Sequence, residues 1–140
     1  MKILLAVDDS PGSRQMLKRL AAQDVWLRKE HEYTVFHAVP AVPHPAAAFM
    51  KADEARALYD DDAESVLARY RTFFEQRGLP AAFAHEIGEA SDLIARKARQ
   101  GACDLIVMGS HGHGALGAML LGSTTAKVLA RCRIPVLVVR

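Results

Sequence analysis

A glycine-rich segment between Gly109 and Thr125 carries the residue types and spacing best suited to chemistry. From Met108 onward it reads M-G-S-H-G-H-G-A-L-G-A-M-L-L-G-S-T-T. Glycines let backbone N–H groups approach a phosphate without a Cβ in the way, and the serine and threonine hydroxyls add further donors. A helix that begins after this segment would add unpaired N–H groups and a partial positive charge. The segment therefore predicts a phosphate-binding loop.

Two common phosphate-binding motifs do not account for this loop. A Walker A motif needs a lysine after its last glycine, and none of the loop glycines is followed by lysine. The dinucleotide motif G-x-G-x-x-G is present as Gly112 to Gly117, but it lies several residues beyond the preceding apolar run instead of turning directly into a helix. The acidic residue expected about 20 positions later is also missing. The sequence therefore does not indicate a Rossmann dinucleotide site.

Several side chains are candidate ligands, each with a structural alternative. The Asp8 carboxylate, after an apolar run, would accept bonds from ribose hydroxyls or help to hold Mg²⁺, or else cap the first helix. His111 suits phosphate contact, whereas zinc bound by His111 and His113 lacks a third ligand nearby. Ser123 and Thr124 are phosphate ligands or a helix cap. His37 lies within a predicted strand, which indicates a packed, hydrogen-bonded histidine.

The hydrophobic pattern predicts the elements that position these residues. Strands are expected at 2–8, 33–39, 81–87, 104–108 and 136–139, and helices at 13–29, 49–77, 92–100 and 123–131. Serines are the expected helix caps: Ser10 or Ser13, then Ser91, then Ser123. Three prolines predict a loop at 40–48. Asp60, Asp61 and Asp62 point in different directions on a helix and are expected to form a solvated face, since a metal site would need them to converge.

This alternation of strands and helices predicts a single α/β domain over residues 1–140, with a parallel sheet covered on both faces. Ligands of such sheets bind beyond the carboxyl ends of the strands, where the strand order reverses. The positions after Asp8, Val39 and Met108 are therefore the expected site. The last strand, Val136 to Val139, is an apolar edge that a second copy of the chain would cover.

Composition excludes several classes of function. The 140 residues are 51% hydrophobic and 24% charged, with a net charge of +2, which is typical of a globular domain. No basic stripe indicates nucleic-acid binding, and no apolar run is long enough to span a membrane. Cys103 and Cys132 are expected to be reduced thiols. We therefore expect a cytoplasmic protein that binds neither nucleic acid nor membrane.

The spacing Gly109-x2-Gly112-x9-Gly122-Ser123 resembles the ATP-binding motif of the universal stress protein family. The resemblance covers the whole chain. The start, K-I-L-L-A-V-D-D-S at 2–10, and the end, P-V-L-V-V at 135–139, also resemble this family, as does C-D-L-I-V-M-G-S-H-G at 103–112.

The resemblance implies a Rossmann-like three-layer sandwich of the adenine nucleotide alpha hydrolase type, with a parallel sheet of order 3-2-1-4-5. It also implies a homodimer and a site for ATP with Mg²⁺, the metal being assigned to Asp8. Asp8 would approach the ribose, and Ala6 and Val39 would line the adenine side. The phosphates would be held by Gly109, Ser110, His111, Gly112, His113, Gly122, Ser123, Thr124 and Thr125.

The sequence indicates a stress-response sensor or signalling module in preference to a fast enzyme. Residues 101–126 contain no Lys or Arg, and positioned cations usually supply much of the rate of phosphoryl transfer. At most slow hydrolysis or autophosphorylation is expected. Two alternatives stay open. One is a dimeric interaction or chaperone-like module that binds no nucleotide. The other is an adenylating enzyme, although the segment after the first strand lacks the repeated glycines that it would need.

Overall fold

The alternation of strands and helices is confirmed in a computed structural model, which describes residues 1–23, 25–41, 49–110 and 121–140. The strands in these ranges are β1 (Lys2–Val7), β2 (Glu32–Val39), β3 (Ala81–Ile87), β4 (Leu105–Gly109) and β5 (Val136–Val139). The helices are α1 (Pro11–Ala21), α2 (Ala52–Gln76), α3 (Ala90–Gln100) and α4 (Ser123–Arg131).

The strands form one parallel sheet in the order β3-β2-β1-β4-β5, as the family resemblance implied. β1 lies at the centre, where Val7 is opposite His37 of β2 and Ala6 is opposite Met108 of β4. The chain winds to one side of β1 through β2 and to the other through β4. The carboxyl end of β1 is therefore the point at which the strand order reverses, and it is the expected place for a ligand.

Two hydrophobic layers cover the sheet, which explains the unbroken apolar run in β1. Ile3, Leu5 and Val7 belong to a core with residues of α1 and α2. Leu4 and Ala6 alternate with them and belong to a second core with residues of α3 and α4. A strand buried on both faces needs apolar residues at every position.

The predicted extent of the first helix is wrong. It spans 11–21 and not 13–29, although Ser10 caps it as expected, its side chain accepting a hydrogen bond from Ser13 N. After this helix, the Tyr33 hydroxyl receives a hydrogen bond from Arg28 N at 2.7 Å and donates to Arg28 O at 2.8 Å. Trp26 and Leu27 also pack against the first core. Of the two apolar residues that suggested a longer helix, Leu27 therefore packs on the core from outside the helix, whereas Val25 is exposed.

Two of the predicted caps are also wrong. The side chain of Glu89, and not of Ser91, accepts the hydrogen bond from Asp92 N at the start of α3. α4 has Gly122, and not Ser123, at its N-cap. α2 begins at Ala52 instead of position 49, with Lys51 N donating to Glu54 at 3.1 Å. These shifts of one to three residues leave the elements in their predicted order.

The three consecutive aspartates lie on α2 with Asp61 and Asp62 exposed. Asp60 instead turns towards β3, where its Oδ1 is 2.8 Å from His85 Nε2. The aspartates therefore do not converge. Of the proline-rich loop predicted at 40–48, positions 42–48 lie outside the described residues.

Candidate functional site

A cavity of about 490 Å³ opens at the carboxyl ends of β1, β2 and β4. This volume is within the range of small-molecule sites. Its polar lining comes from the ends of β1 and β2 and from the starts of α1 and α4, and its apolar lining from both cores. Its lining includes Ala6, Asp8, Ser13, His37, Ala38, Val66, Gly109, Gly122, Ser123, Thr124 and Thr125.

The Asp8 carboxylate is fixed by the first turn of α1. Its Oδ1 accepts hydrogen bonds from Ser10 N at 3.0 Å, from Ser10 Oγ, and from Ser13 Oγ at 2.6 Å. Ser13 Oγ in turn accepts a bond from Asp8 N at 3.1 Å. No donor from the described ranges reaches Oδ2. The carboxylate is therefore held in one orientation, with one oxygen available to a ligand.

The backbone of Asp8 is held from the opposite side by α2. The hydroxyl of Tyr70 donates a 2.7 Å hydrogen bond to Asp8 O, and the Tyr70 side chain is fully buried. Burial is the main cause that raises the pKa of Tyr70 to about 12. The phenol therefore remains a donor at any ordinary pH.

The N-terminus of α4 faces the cavity without a side-chain cap. Gly122, in extended conformation, is its N-cap residue, and no described side chain bonds to the first turn. Its position is set by Gly122 N donating to Ser110 O at 2.7 Å, and Ser110 N donating to Val139 O at 2.9 Å. A helix N-terminus in this state offers unpaired N–H groups and a partial positive charge to an anion.

Gly109, the last residue of β4, lets α1 pack closely against the sheet. A Cβ at Gly109 would lie 3.0 Å from the backbone carbon of Gly12 and 3.1 Å from its oxygen. Thr125 Oγ1 also donates to Gly109 O at 3.3 Å. Any larger residue at 109 would push apart the elements that carry Asp8 and the start of α4.

The structure brings seven of the twelve predicted site residues to the cavity. These are Ala6, Asp8, Gly109, Gly122, Ser123, Thr124 and Thr125. Val39 and Ser110 are buried next to it without contributing to its lining. His111, Gly112 and His113 lie outside the described residues.

Sequence reasoning missed several lining residues. Ala38 contributes to the lining from the end of β2, whereas Val39 is buried without contributing to it. Val66 of α2 and Ser13 of α1 also line the cavity. No sequence signal marks Val66, since its place depends on how α2 packs. Ser13 could have been predicted, because it is one of the expected caps of the first helix and lies only five residues after Asp8.

The two cations of α4 are paired with acidic groups. Lys127 Nζ lies 3.4 Å from Glu89, and Arg131 lies 3.7 Å from Glu89 and 3.3 Å from Asp92. Hydrogen bonds from the Ser91 hydroxyl and the Asp92 backbone lower the pKa of Glu89 to about 2. Across the described residues, no three His, Cys, Asp or Glu side chains cluster as a metal site, and no helix could span a membrane.

Comparison with protein families gives a match along the whole chain. The model of the universal stress protein family matches residues 1–140. Universal stress protein Rv2005c of Mycobacterium tuberculosis is 32% identical over 143 residues, which cover 99% of this chain and 45% of that protein. The chain therefore spans less than half the length of this relative. Universal stress protein YxiE of Bacillus subtilis is 27% identical, and the match covers 99% of this chain and 98% of that protein.

Solved structures have the same fold. The protein MJ0577 superposes with a TM-score of 0.82 at 27% identity, covering 99% of this chain and 94% of the other. A universal stress protein family member from Arabidopsis thaliana, solved with AMP bound, gives 0.73 at 14% identity, with 99% and 90% covered. Two further neighbours were solved with cAMP and with dAMP, at TM-scores of 0.66 and 0.68. At 14%, 18% and 20% identity, these three nucleotide-bound structures show the fold alone.

Proposed function

The chain belongs to the universal stress protein family, and on this premise we propose that it binds ATP with Mg²⁺ in the cavity at the end of β1. The observation that carries the proposal is the pairing, in one cavity, of the oriented carboxylate of Asp8 with the uncapped start of α4. A carboxylate suits ribose hydroxyls, and a helix start suits phosphates. Structural neighbours with bound AMP, cAMP and dAMP support an adenine nucleotide as the ligand class.

In this proposal the ligand lies across the sheet edge. Its ribose bonds to Asp8, and its base lies on the side of Ala6 and Val39, where Ala6 and Ala38 line the cavity. The backbone N–H groups and hydroxyls at the start of α4 hold the phosphates with the glycine loop. The residues proposed for the phosphates are Gly109, Ser110, His111, Gly112, His113, Gly122, Ser123, Thr124 and Thr125.

The residues present fit a magnesium ion that is bound mainly by the nucleotide. Mg²⁺ in nucleotide sites is usually held by one or two carboxylates, substrate phosphates and water. Asp8 supplies one such carboxylate, with Oδ2 free of donors from the described ranges. When bound, the ion would neutralise phosphate charge that this site has few cations to balance.

We further propose that the protein acts as a sensor or signalling module of the stress response, with slow hydrolysis at most. Lys127 and Arg131 follow the phosphate-binding residues on α4, but both pair with Glu89. They are therefore not positioned to stabilise a transferring phosphoryl group, as a fast phosphoryl-transfer enzyme requires. Its two cysteines are free thiols, which suits a reducing compartment, and we propose the cytoplasm as its location.

A homodimer through β5 is part of the proposal. Within the described ranges β5 pairs with β4 alone. Because Ile106 N bonds to Pro135 O and Ser110 N bonds to Val139 O, alternation along the ladder turns the backbone groups of Val136 and Val138 away from β4. A second copy of the chain would pair with this edge and remove it from solvent.

Calorimetric titration with MgATP tests the nucleotide proposal, using the wild type, Asp8→Ala and Gly122→Val. We expect micromolar binding by the wild type and a loss of at least tenfold in each variant. Asp104→Ala is the matched control for the aspartate. Asp104 also accepts a backbone hydrogen bond, from Lys2 N at 2.7 Å, but at the opposite end of β1. Millimolar or absent binding by a folded wild type contradicts the proposal and favours a module that binds no nucleotide.

A further inference from the structure

His37 is a polar residue that lines the cavity but has no role in the proposed nucleotide site. It lies near the end of β2 with 8% of its surface exposed. The side chain contributes to the cavity wall together with Val7 of β1 and Val66 of α2. A buried imidazole that faces a cavity is more than a packing residue if one of its nitrogens is left for a ligand.

Hydrogen bonding fixes which nitrogen that is. His37 Nδ1 lies 2.8 Å from Val7 O. A carbonyl oxygen only accepts hydrogen bonds, so Nδ1 must carry the hydrogen and donate it. In the neutral ring Nε2 then has a lone pair and is an acceptor. Throughout the part of the chain that the structure describes, Nε2 has no hydrogen-bond partner.

The bond to Val7 also fixes the direction of the ring. Val7 is the last residue of β1 and lies opposite His37 in the parallel ladder. The bond anchors one edge of the imidazole to the backbone of β1, one residue before Asp8. The cavity therefore has two oriented acceptors, Asp8 Oδ2 just beyond the end of β1 and His37 Nε2 on the adjacent strand β2.

We propose that His37 Nε2 accepts a hydrogen bond from the bound nucleotide and is a specificity-determining residue of the site. An adenine nucleoside has two kinds of donor, the 6-amino group of the base and the ribose hydroxyls. Either would satisfy Nε2, whereas a carbonyl or another acceptor at the same place would leave two lone pairs facing each other. The inference rests on the proposed nucleotide function. It adds that the site prefers ligands that place a hydrogen-bond donor opposite His37 Nε2.

Two substitutions separate this function from the structural bond to Val7. His37→Asn retains a donor near the position of Nδ1 and removes Nε2. His37→Gln places an amide near the position of Nε2, where its oxygen can accept, and removes the donor to Val7. If Nε2 binds the ligand, Asn weakens nucleotide binding with little loss of thermal stability. Gln then lowers thermal stability but retains more of the affinity.

The test titrates wild type and both variants at about pH 8, where imidazoles are ordinarily neutral. The probes are MgATP and three analogues that each lack one donor: inosine triphosphate, 2′-deoxy-ATP and 3′-deoxy-ATP. We expect the analogue that lacks the donor to Nε2 to bind the wild type about threefold to tenfold more weakly than ATP, as the loss of one neutral hydrogen bond predicts. His37→Asn should bind ATP more weakly by a similar factor and should no longer distinguish that analogue. An analogue that loses only a bond to Asp8 should be weakened equally in the wild type and in His37→Asn. The analogue that His37→Asn no longer distinguishes from ATP shows whether the donor is the 6-amino group of the base or a ribose hydroxyl.

The outcomes distinguish this inference from its premise. If the wild type binds none of the nucleotides, the proposed function fails and the inference fails with it. If the wild type binds ATP but His37→Asn binds it equally well, the inference alone is overturned. It is also overturned if His37→Asn weakens all four ligands by one common factor, because His37 then acts only on the structure of the site.

Discussion

The hydroxyl of Tyr70 on α2 donates a 2.7 Å hydrogen bond to the backbone oxygen of Asp8, 62 residues earlier in the chain. The phenol is fully buried, and burial raises its pKa to about 12. The bond connects the helix that covers one face of the sheet to the first residue beyond β1. The orientation of the Asp8 backbone therefore depends on how α2 packs.

Tyr70→Phe tests this connection. Loss of the hydroxyl leaves a part-buried carbonyl without its partner, which costs about 1–3 kcal/mol of unfolding free energy. We also expect weaker MgATP binding, because Asp8 is held less firmly. Urea denaturation and calorimetry measure the two effects. Tyr33→Phe is the control, since the buried Tyr33 hydroxyl bonds to the backbone of Arg28 and does not line the cavity. A Tyr33→Phe variant that loses as much affinity as Tyr70→Phe would contradict this explanation.

The close contact between β4 and α1 gives a second prediction. A Cβ in Gly109→Ala would lie 3.0 Å from the Gly12 backbone, and we expect this overpacking to cost about 1–3 kcal/mol and to weaken nucleotide binding. Gly78→Ala is the control. Gly78 has a φ of +59°, and the nearest atom to a Cβ there would be Lys29 Nζ at an ordinary 3.8 Å, so alanine costs about 1–2 kcal/mol through backbone strain without overpacking. Equal affinities of the two variants, measured by calorimetry, would refute a role for Gly109 in the site.

The cap of α3 gives a prediction about pH. The folded-state pKa of Glu89, about 2, lies below the ordinary value of 4.5. Its ionised form therefore stabilises the fold above about pH 4.5, and this contribution is lost as the pH falls towards 2. Because 46% of the side chain is exposed, we expect Glu89→Gln to cost only about 0.5–1 kcal/mol at pH 7. Urea denaturation from pH 7 to pH 3 should show the difference from wild type narrowing below pH 4.5. A constant difference would exclude the carboxylate as its cause.

The free edge of β5 gives a prediction about assembly. The backbone N–H of Val138 points away from β4 in the ladder described above. Val138→Pro removes that N–H without removing a bond to β4. We expect the wild type to sediment as a dimer and Val138→Pro as a folded monomer in analytical ultracentrifugation. A monomeric wild type, or a variant that remains dimeric, would show that β5 does not form the interface.

The site residues that could be predicted from the sequence are those close to the end of a strand. Asp8 and Gly109 end or follow buried apolar runs, and parallel strands bring their carboxyl ends to one edge. The sequence therefore placed both at the cavity. His37 was also predicted correctly as a packed, hydrogen-bonded histidine.

The parts that the sequence could not predict depend on contacts between distant segments. Val66 and Tyr70 reach the site through the packing of α2 against the sheet, which hydrophobic periodicity does not specify. The end of α1 at Ala21 is similar, because Tyr33 and the first core determine the path of the chain after it. The cap of α3 is Glu89, whose carboxylate accepts from Asp92 N and also pairs with Lys127 of α4, a contact that local sequence rules do not include.

The most direct test of the nucleotide site is a titration of ¹⁵N-labelled protein with MgATP, followed by amide chemical shifts. A nucleotide in the cavity should shift the amides of Asp8, Gly109, Ser123 and Thr124, while those of Glu64 and Arg99, on helix surfaces away from the cavity, stay unchanged. Saturable shifts confined to the residues around the cavity would agree with the account. Shifts that are absent, or that centre on another surface, would contradict it.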